Sequence, residues 1–431
     1  MVMQDKLGMG GQSMERLTVI NTVLFVLFMV FTGYQGAFAV IRLMGKQKKY
    51  KEKGLLRYAV VIAARNESAV ITKLIESIRG QSYPRDLVDI YVVADNCTDN
   101  TAGLATKAGA TVFERFNTRR IGKGYALNFL FVKIKELCGL EYYDGYFVFD
   151  ADNLLDPEYI TQMNKVFSNG FKAVTSYRNT KNYADSWITA GYGLWFLREA
   201  EYMNRPRAYL GISCMLSGTG FVFSSELLLE KGGWEYFLLA EDWEFTADII
   251  TKGDTVGYCH DAIYYDEQPL KLGASITQRS RWIKGSMQVL SAYGGRAWKK
   301  LIKDGNISCY DLMMGVLPTI VLSLAAVLLN GVTAAVILAA AWSELPALLL
   351  LLTKALLLTY VSFYISGLMP LITEWRNIHA PGYKKILYSF TYPFFTLTFL
   401  FALFPAIFTN VRWTPIHHDK ALSISDFGKN R

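Results

Sequence analysis

Short apolar runs alternate with amphipathic stretches between Tyr58 and about Gly305, whereas outside that window the apolar runs lengthen and lose their charges. Residues 58–64, 89–94, 111–113 and 146–149 are runs of strand length rich in Val, Tyr and Phe, and 68–82 and 101–108 carry helical patterns. Strands spaced by helices predict a largely parallel sheet, with ligand sites beyond the carboxyl ends of its strands. Residues 18–41, 312–341, 345–372 and 387–411 are each nearly free of charge and long enough for a helix to cross a ~30 Å hydrocarbon layer. Residues 270–305 differ. There Leu272, Ile276, Ile283, Val289 and Leu301 are interleaved with Arg279, Arg281, Lys284, Arg296 and Lys300, a basic amphipathic pattern that predicts a helix in the interface plane. The chain thus divides into an anchor (1–45), a soluble domain (46–269), an interfacial segment (270–308), membrane helices (309–411) and a basic tail (412–431).

The 52% hydrophobic content and positive mean hydropathy exceed what a soluble enzyme shows and support the membrane reading. Arg42, Lys46, Lys48 and Lys49 follow the first apolar run in place of a small-residue cleavage site, which predicts an uncleaved anchor rather than a signal peptide. Basic residues across 42–57 outnumber Lys6 and Arg16 before the run, so the N-terminus is expected outside and the following domain in the cytosol. One conflict remains. Four crossings carry the chain's end outside, yet Arg412, Lys420, Lys429 and Arg431 favour the cytosolic side. The net charge of +8 needs no nucleic acid, because basic residues near anionic headgroups account for it. Cys97, Cys138, Cys214, Cys259 and Cys309 lack metal-ligand spacing and read as free thiols of a reducing compartment.

Polar clusters stand at the expected strand ends. Arg65-Asn66-Glu67 and Asp95-Asn96-Cys97-Thr98-Asp99 read singly as turn and helix-cap chemistry. Together, at neighbouring strand ends, they can form a nucleotide-pocket wall whose carboxylates accept hydrogen bonds from a base and from ribose hydroxyls. Phe147-Val148-Phe149-Asp150-Ala151-Asp152 is the strongest local motif: an extended strand alternates faces, so carboxylates at i and i+2 leave on one side. A hard divalent cation, Mg2+ or Mn2+, suits them; a solvated turn is the alternative. Glu241-Asp242 offers a base for a hydroxyl proton or a dipole-stabilising helix start. In Gln278-Arg279-Ser280-Arg281-Trp282, Arg281 presents a fork suited to a diphosphate and Trp282 a flat face for a sugar ring. An Arg/Trp-rich interfacial anchor is the plainer reading of those five residues.

Taken in order, these motifs resemble the membrane-bound family 2 glycosyltransferases, the group that includes cellulose, chitin and hyaluronan synthases. The resemblance spans roughly residues 58–285. It implies a GT-A-type α/β nucleotide-sugar transferase domain, a mostly parallel sheet flanked by helices, set between an N-terminal transmembrane helix and a C-terminal helical membrane domain. It implies a UDP-sugar donor contacted by Glu67, Asp95, Lys123 of Gly122-Lys123-Gly124, Asp150 and Arg281, with Mg2+ or Mn2+ on Asp150 and Asp152. Asp242 becomes the catalytic base with Glu241 beside it, and an acceptor glycan is held by Gly218, Thr219, Gln278, Arg279 and Trp282. The activity so implied is inverting transfer, processive and coupled to export, at the cytosolic face of the cell membrane. Two rivals stay open: single transfer to a lipid-linked acceptor, and a catalytically silent membrane scaffold. The Phe-x-Val-Thr-x-Lys gating loop of bacterial cellulose synthase is not found, which disfavours cellulose, and residues 412–417 read as a gate analogue or an interface tail.

Overall fold

Strand β1 (Tyr58–Ala64) is almost wholly buried, as suits a parallel strand covered on both faces. β2 (Val88–Asp95) pairs with it in parallel, β3 (Thr111–Arg115) extends the sheet beyond β2, and β4 (Gly145–Asp150) lies parallel to β1 on its other side. The computed structural model describes residues 2–45, 49–340, 342, 345–414, 418 and 420–428. It adds β5 (Leu154–Leu155), β6 (Ala173–Thr180), β7 (Phe221–Ser224) and β8 (Val256–Asp266), giving the order β3-β2-β1-β4-β7-β6-β8-β5. The sheet is therefore mixed rather than mostly parallel, with β7 antiparallel to both β4 and β6 and β5 antiparallel to β8. β6 carries buried Thr175, Ser176 and Asn179, so it lacks the apolar run that marks the first half of the sheet.

Alternation along the strands sends side chains to opposite faces. Val60, Ile62, Val92 and Phe149 pack with the helices Ile71–Arg79 and Tyr159–Phe167, while Val61, Val93 and Val148 pack with Lys123–Cys138 and Trp187–Arg198. These α/β layers, with a helical C-terminal region beside them, are the layout expected of a GT-A-type domain.

Among the described residues three helices are long and apolar enough to cross a bilayer: Glu15–Thr32, Ile307–Ala339 and Leu345–Thr373. Asn21 and Asn330 of the first two donate to each other at 2.9 Å, which satisfies both amides where lipid offers no partner. After Gly33 a separate helix, Tyr34–Met44, docks on the domain through buried Phe38 and an Arg42–Glu201 ion pair. The 387–411 run does not form one straight span. Gly382–Ser389 and Tyr392–Phe408 meet at 49°, at a point where Pro393 has no N–H to give the preceding turn. Both ends of this bent pair rest on the domain: Lys384 donates to the Ala184 carbonyl at 2.9 Å, while beyond it His418 contacts Glu67 and Lys420 pairs with Asp185. The contacts of His418 and Lys420 place the described part of the basic tail beside the domain. Tail positions 415–417, 429 and 431 lie outside the described residues.

Residues of the amphipathic stretch form a single helix, Leu272–Asp304. Ile283, Val289 and Ala297 are buried against the protein, and Trp298 and Ile302 remain exposed.

Candidate active site

β1 and β2 end in the same turn. Asn66 and Asn96 have φ of 56° and 54°, the left-handed region that Asn enters more readily than other non-glycine residues. Their side chains brace the neighbouring loops: Asn66 Oδ1 accepts the Thr98 N–H at 2.7 Å, and Asn96 Oδ1 accepts the Asn117 N–H at 2.8 Å. Asp99, one residue before the N-cap Asn100, closes a turn by accepting the Thr101 N–H at 3.1 Å, so the turn reading holds for Asp99 but leaves Glu67 and Asp95 unexplained. Both are buried. Asp95 is ion-paired to Arg115, its register partner on β3. Glu67 lies 3.1 Å from His418 Nδ1 through each carboxylate oxygen. Burial pushes the Glu67 carboxyl up, against the pull of His418.

Asp150 ends β4, and its N–H donates to Thr219 Oγ1 at 2.8 Å. Lys123, at the start of its helix, reaches Asp150 Oδ1 at 2.5 Å and the Gly218 carbonyl at 2.6 Å. A side chain on Gly124 would meet the Tyr236 carbonyl, so glycine beside Lys123 lets two backbones close up and fixes the lysine over the strand end. Asp152 accepts the Glu267 N–H at 2.8 Å. Burial disfavours its charge, but His418, Lys181, Arg178 and that amide hold its carboxyl below the usual range. The Asp150 and Asp152 carboxylates, faced by Lys123 and by His418, form a hard-oxygen donor set, and they fit a divalent cation shared with a diphosphate.

Glu241 and Asp242 open the helix Glu241–Lys252. Desolvation in the cleft raises both carboxyls, Glu241 to about 7, and the Lys123 charge together with the Gly218 and Trp243 backbone bonds pulls back on the pair. Arg281 faces the same acids: burial lowers its affinity for the proton, while Glu241, Asp150 and Asp242 support its charge. The β4 end, the Gly218 loop, the Glu241 helix start and Arg281 therefore converge on one cleft.

The helix Leu272–Asp304 splits its motif. Gln278, Arg281 and Trp282 share a side at i, i+3 and i+4, and Trp282 sets its ring edge-on to Tyr192 and Trp195, each 6.0 Å away. Arg279 points elsewhere. It is only 1% exposed, donates to the Phe395 carbonyl and Thr398 Oγ1, and lies 4.6 Å from the Phe395 ring. The expected acceptor contact of Arg279 is thus replaced by a tie between this helix and the bent pair. Arg279→Met is expected to cost about 2 kcal/mol of stability, read as a lower thermal midpoint, without weakening nucleotide-sugar binding.

Sequence reasoning missed Arg115, His418 and Arg178. Arg178 donates to Asp266 at 2.7 Å and to Ser217 Oγ at 3.0 Å, and stacks 3.6 Å from the Phe196 ring. Only Arg115 had a signal, as the residue ending the strand next to Asp95.

Such a sheet, with carboxylates and a lysine gathered at its strand ends, has the layout of a GT-A-type domain. More particularly, the chain belongs to the glycosyltransferases of family 2: residues 56–285, more than half of it, match the model described as "Glycosyltransferase like family 2". It is 23% identical over 299 residues to a probable glycosyltransferase of Bacillus subtilis, covering 64% of this chain and 66% of that protein. It is 26% identical over 273 residues to a β-monoglucosyldiacylglycerol synthase of Synechocystis sp., covering 60% and 54%. The matches thus span between about half and two thirds of these relatives. In fold it is similar to a mannosyltransferase of Pyrobaculum calidifontis, solved with GDP-Man and Mn2+, at a TM-score of 0.58 and 18% identity over 88% of this chain and 98% of that one.

Proposed function

We propose that this chain is an inverting, membrane-embedded glycosyltransferase that moves one sugar from a UDP-sugar to a lipid-linked acceptor at the cytosolic face of the cell membrane. The observation that carries this reading is the place of Trp243, next to Asp242. Its ring packs against the cluster of Ile283, Val316, Ile320, Ala402, Leu403 and Ala406, so the acid pair opens where membrane helices meet the domain. The kinship with a diacylglycerol glycosylating enzyme supports the same acceptor class.

In this mechanism Asp242 takes the proton of the acceptor hydroxyl as that oxygen bonds to the anomeric carbon, while the bond from that carbon to the UDP oxygen breaks with its electron pair leaving on UDP. A single displacement inverts the centre. Glu241 keeps the Asp242 surroundings acidic, and Glu67 and Asp95 hold the nucleoside. Lys123 and Arg281 offset charge growing on the diphosphate. Gly218 and Thr219 shape the acceptor end next to Asp242. Asp150 and Asp152 would hold Mg2+ or Mn2+, which when bound supplies further charge neutralisation at the leaving diphosphate.

The processive reading keeps one supporting observation: Trp282 and Gln278 share a helix face, and the buried Gln278 Oε1 has no hydrogen-bond partner among the described residues. A glycan hydroxyl would satisfy it. Sizing the product made from a panel of labelled UDP-sugars in membranes separates the readings, with one added sugar on a lipid expected. Trp282→Ala is expected to leave UDP-sugar affinity intact and lower transfer. If the wild type instead makes long chains that Trp282→Ala shortens per folded molecule, processive synthesis replaces single transfer.

A further inference from the structure

At the other end of β8 from Asp266, a separate cavity of about 220 Å³ lies between the docked helix Tyr34–Met44, the helix Tyr159–Phe167 and the helix Arg205–Leu210. None of the residues assigned to transfer lines it. Arg42, Lys49, Lys165, Arg205 and His260 do, with Asp261 as the acid of the lining. Glu201 stands behind them, fully buried, and its carboxylate is shared by Arg42, Arg205 at 3.0 Å and His260 at 2.9 Å. Glu374 is 3.8 Å from Arg42. The Lys165 ammonium donates to the neutral Gln162 Oε1 at 3.1 Å, and among the described residues neither Lys165 nor Lys49 has a carboxylate partner within ion-pair distance. Arg42 and Arg205, by contrast, already share Glu201 with the His260 ring. Tyr258 also lines the cavity, is 5% exposed, and its hydroxyl has no hydrogen-bond partner among the described residues. A buried hydroxyl without a partner is costly unless an acceptor visits, and cationic side chains around the same cavity favour an anion as that acceptor. The surrounding surface is apolar: Leu43, Met44, Tyr209 and Leu210 are all exposed, and Leu43 and Met44 continue the chain from the first spanning helix.

We propose that this cavity binds a phosphate anion carried by a membrane lipid, its headgroup held by Lys49, Lys165, Arg42, Arg205 and the Tyr258 hydroxyl and its acyl chains lying on the exposed apolar rim. The proposal uses the membrane placement given above but not the acceptor or the transfer chemistry. Basic pockets at the cytosolic ends of membrane helices have this chemistry in general.

The test uses the full chain in detergent and native mass spectrometry with phosphatidylglycerol and phosphatidylcholine offered in equal amounts. Wild type is expected to retain one phosphatidylglycerol with a preference of about tenfold or more, falling to parity in Lys49→Gln/Lys165→Gln, since each basic residue contributes roughly a factor of five. Tyr258→Phe, which removes one oxygen only, is expected to weaken retention, and Lys299→Gln/Lys303→Gln, on the exposed basic helix, to leave it unchanged. Equal retention of the two lipids by wild type, or an undiminished preference in the Lys49/Lys165 variant, overturns the site. If inorganic phosphate at millimolar concentration raises the thermal midpoint as much as phosphatidylglycerol does, the anion is a soluble one and the lipid assignment falls. Transfer activity measured on the same samples reports separately on the proposed function.

Discussion

Asp242→Asn is expected to lower turnover by about 10²–10⁴-fold while UDP-sugar affinity stays near that of the wild type, because the lost base acts on the acceptor and not on the nucleotide. Single-turnover rates with equilibrium binding of the donor check both halves. A variant that keeps more than about a tenth of the rate would move the role to Glu241. The same environment sets the pH response. Desolvation raises both carboxyls, so the proton is held more tightly in the folded chain than in the unfolded one. That contribution to stability is present in acid and is lost as pH rises through the raised values. Transfer should run the opposite way, falling as pH drops through them, since only the ionised base works. Asp242→Asn should therefore be inactive and, near neutral pH, no less heat-stable than the wild type.

Chelation is the second large effect. Removing divalent cations is expected to lower transfer by about 10²–10³-fold, the equivalent of several kcal/mol of charge stabilisation, with recovery on adding Mn2+ or Mg2+. Full activity in excess chelator would remove the cation from Asp150 and Asp152. Asp152→Asn is expected to mimic chelation and to weaken donor binding, measured by calorimetry with and without Mn2+. The fold should survive that change, because the contact from the Glu267 N–H to this side chain needs only an oxygen acceptor.

The half of the sheet built from β1 to β4 was legible because β1, β2 and β4 carry long apolar runs and β3 a short Val-Phe pair beside them. β6 and β7 were not: β6 buries polar residues, Ser176 spending its hydroxyl on the Gly220 carbonyl at 2.6 Å, and β7 is apolar but only four residues long, too short for a periodic signal. Carboxylates at strand ends were legible for the same reason as their strands. Their counterions were not, since Arg178 and His418 reach the cleft from β6 and from the tail, and no local pattern announces a partner 88 or 351 residues away. Arg279 shows the limit of motif reading. Its neighbours in sequence face the cleft, but a helix turns each successive residue by about 100°, and that turn puts it inside the protein.

The bonds that finish the catalytic domain have a consequence for how the protein is made. Glu67 and His418 are 351 positions apart, Tyr177 and Glu374 are 197 apart, and Arg279 and Thr398 are 119 apart. At roughly 5–20 residues per second a ribosome delivers the last of these partners about 20–70 s after the first. Throughout that interval Glu67 has no His418 and the Leu272–Asp304 helix has no bent pair to hold Arg279. The domain that emerges first must wait, incompletely closed, for segments whose own placement depends on insertion into the bilayer, so a fragment cut at residue 305 would be arrested at that unfinished stage rather than released as a free-standing enzyme.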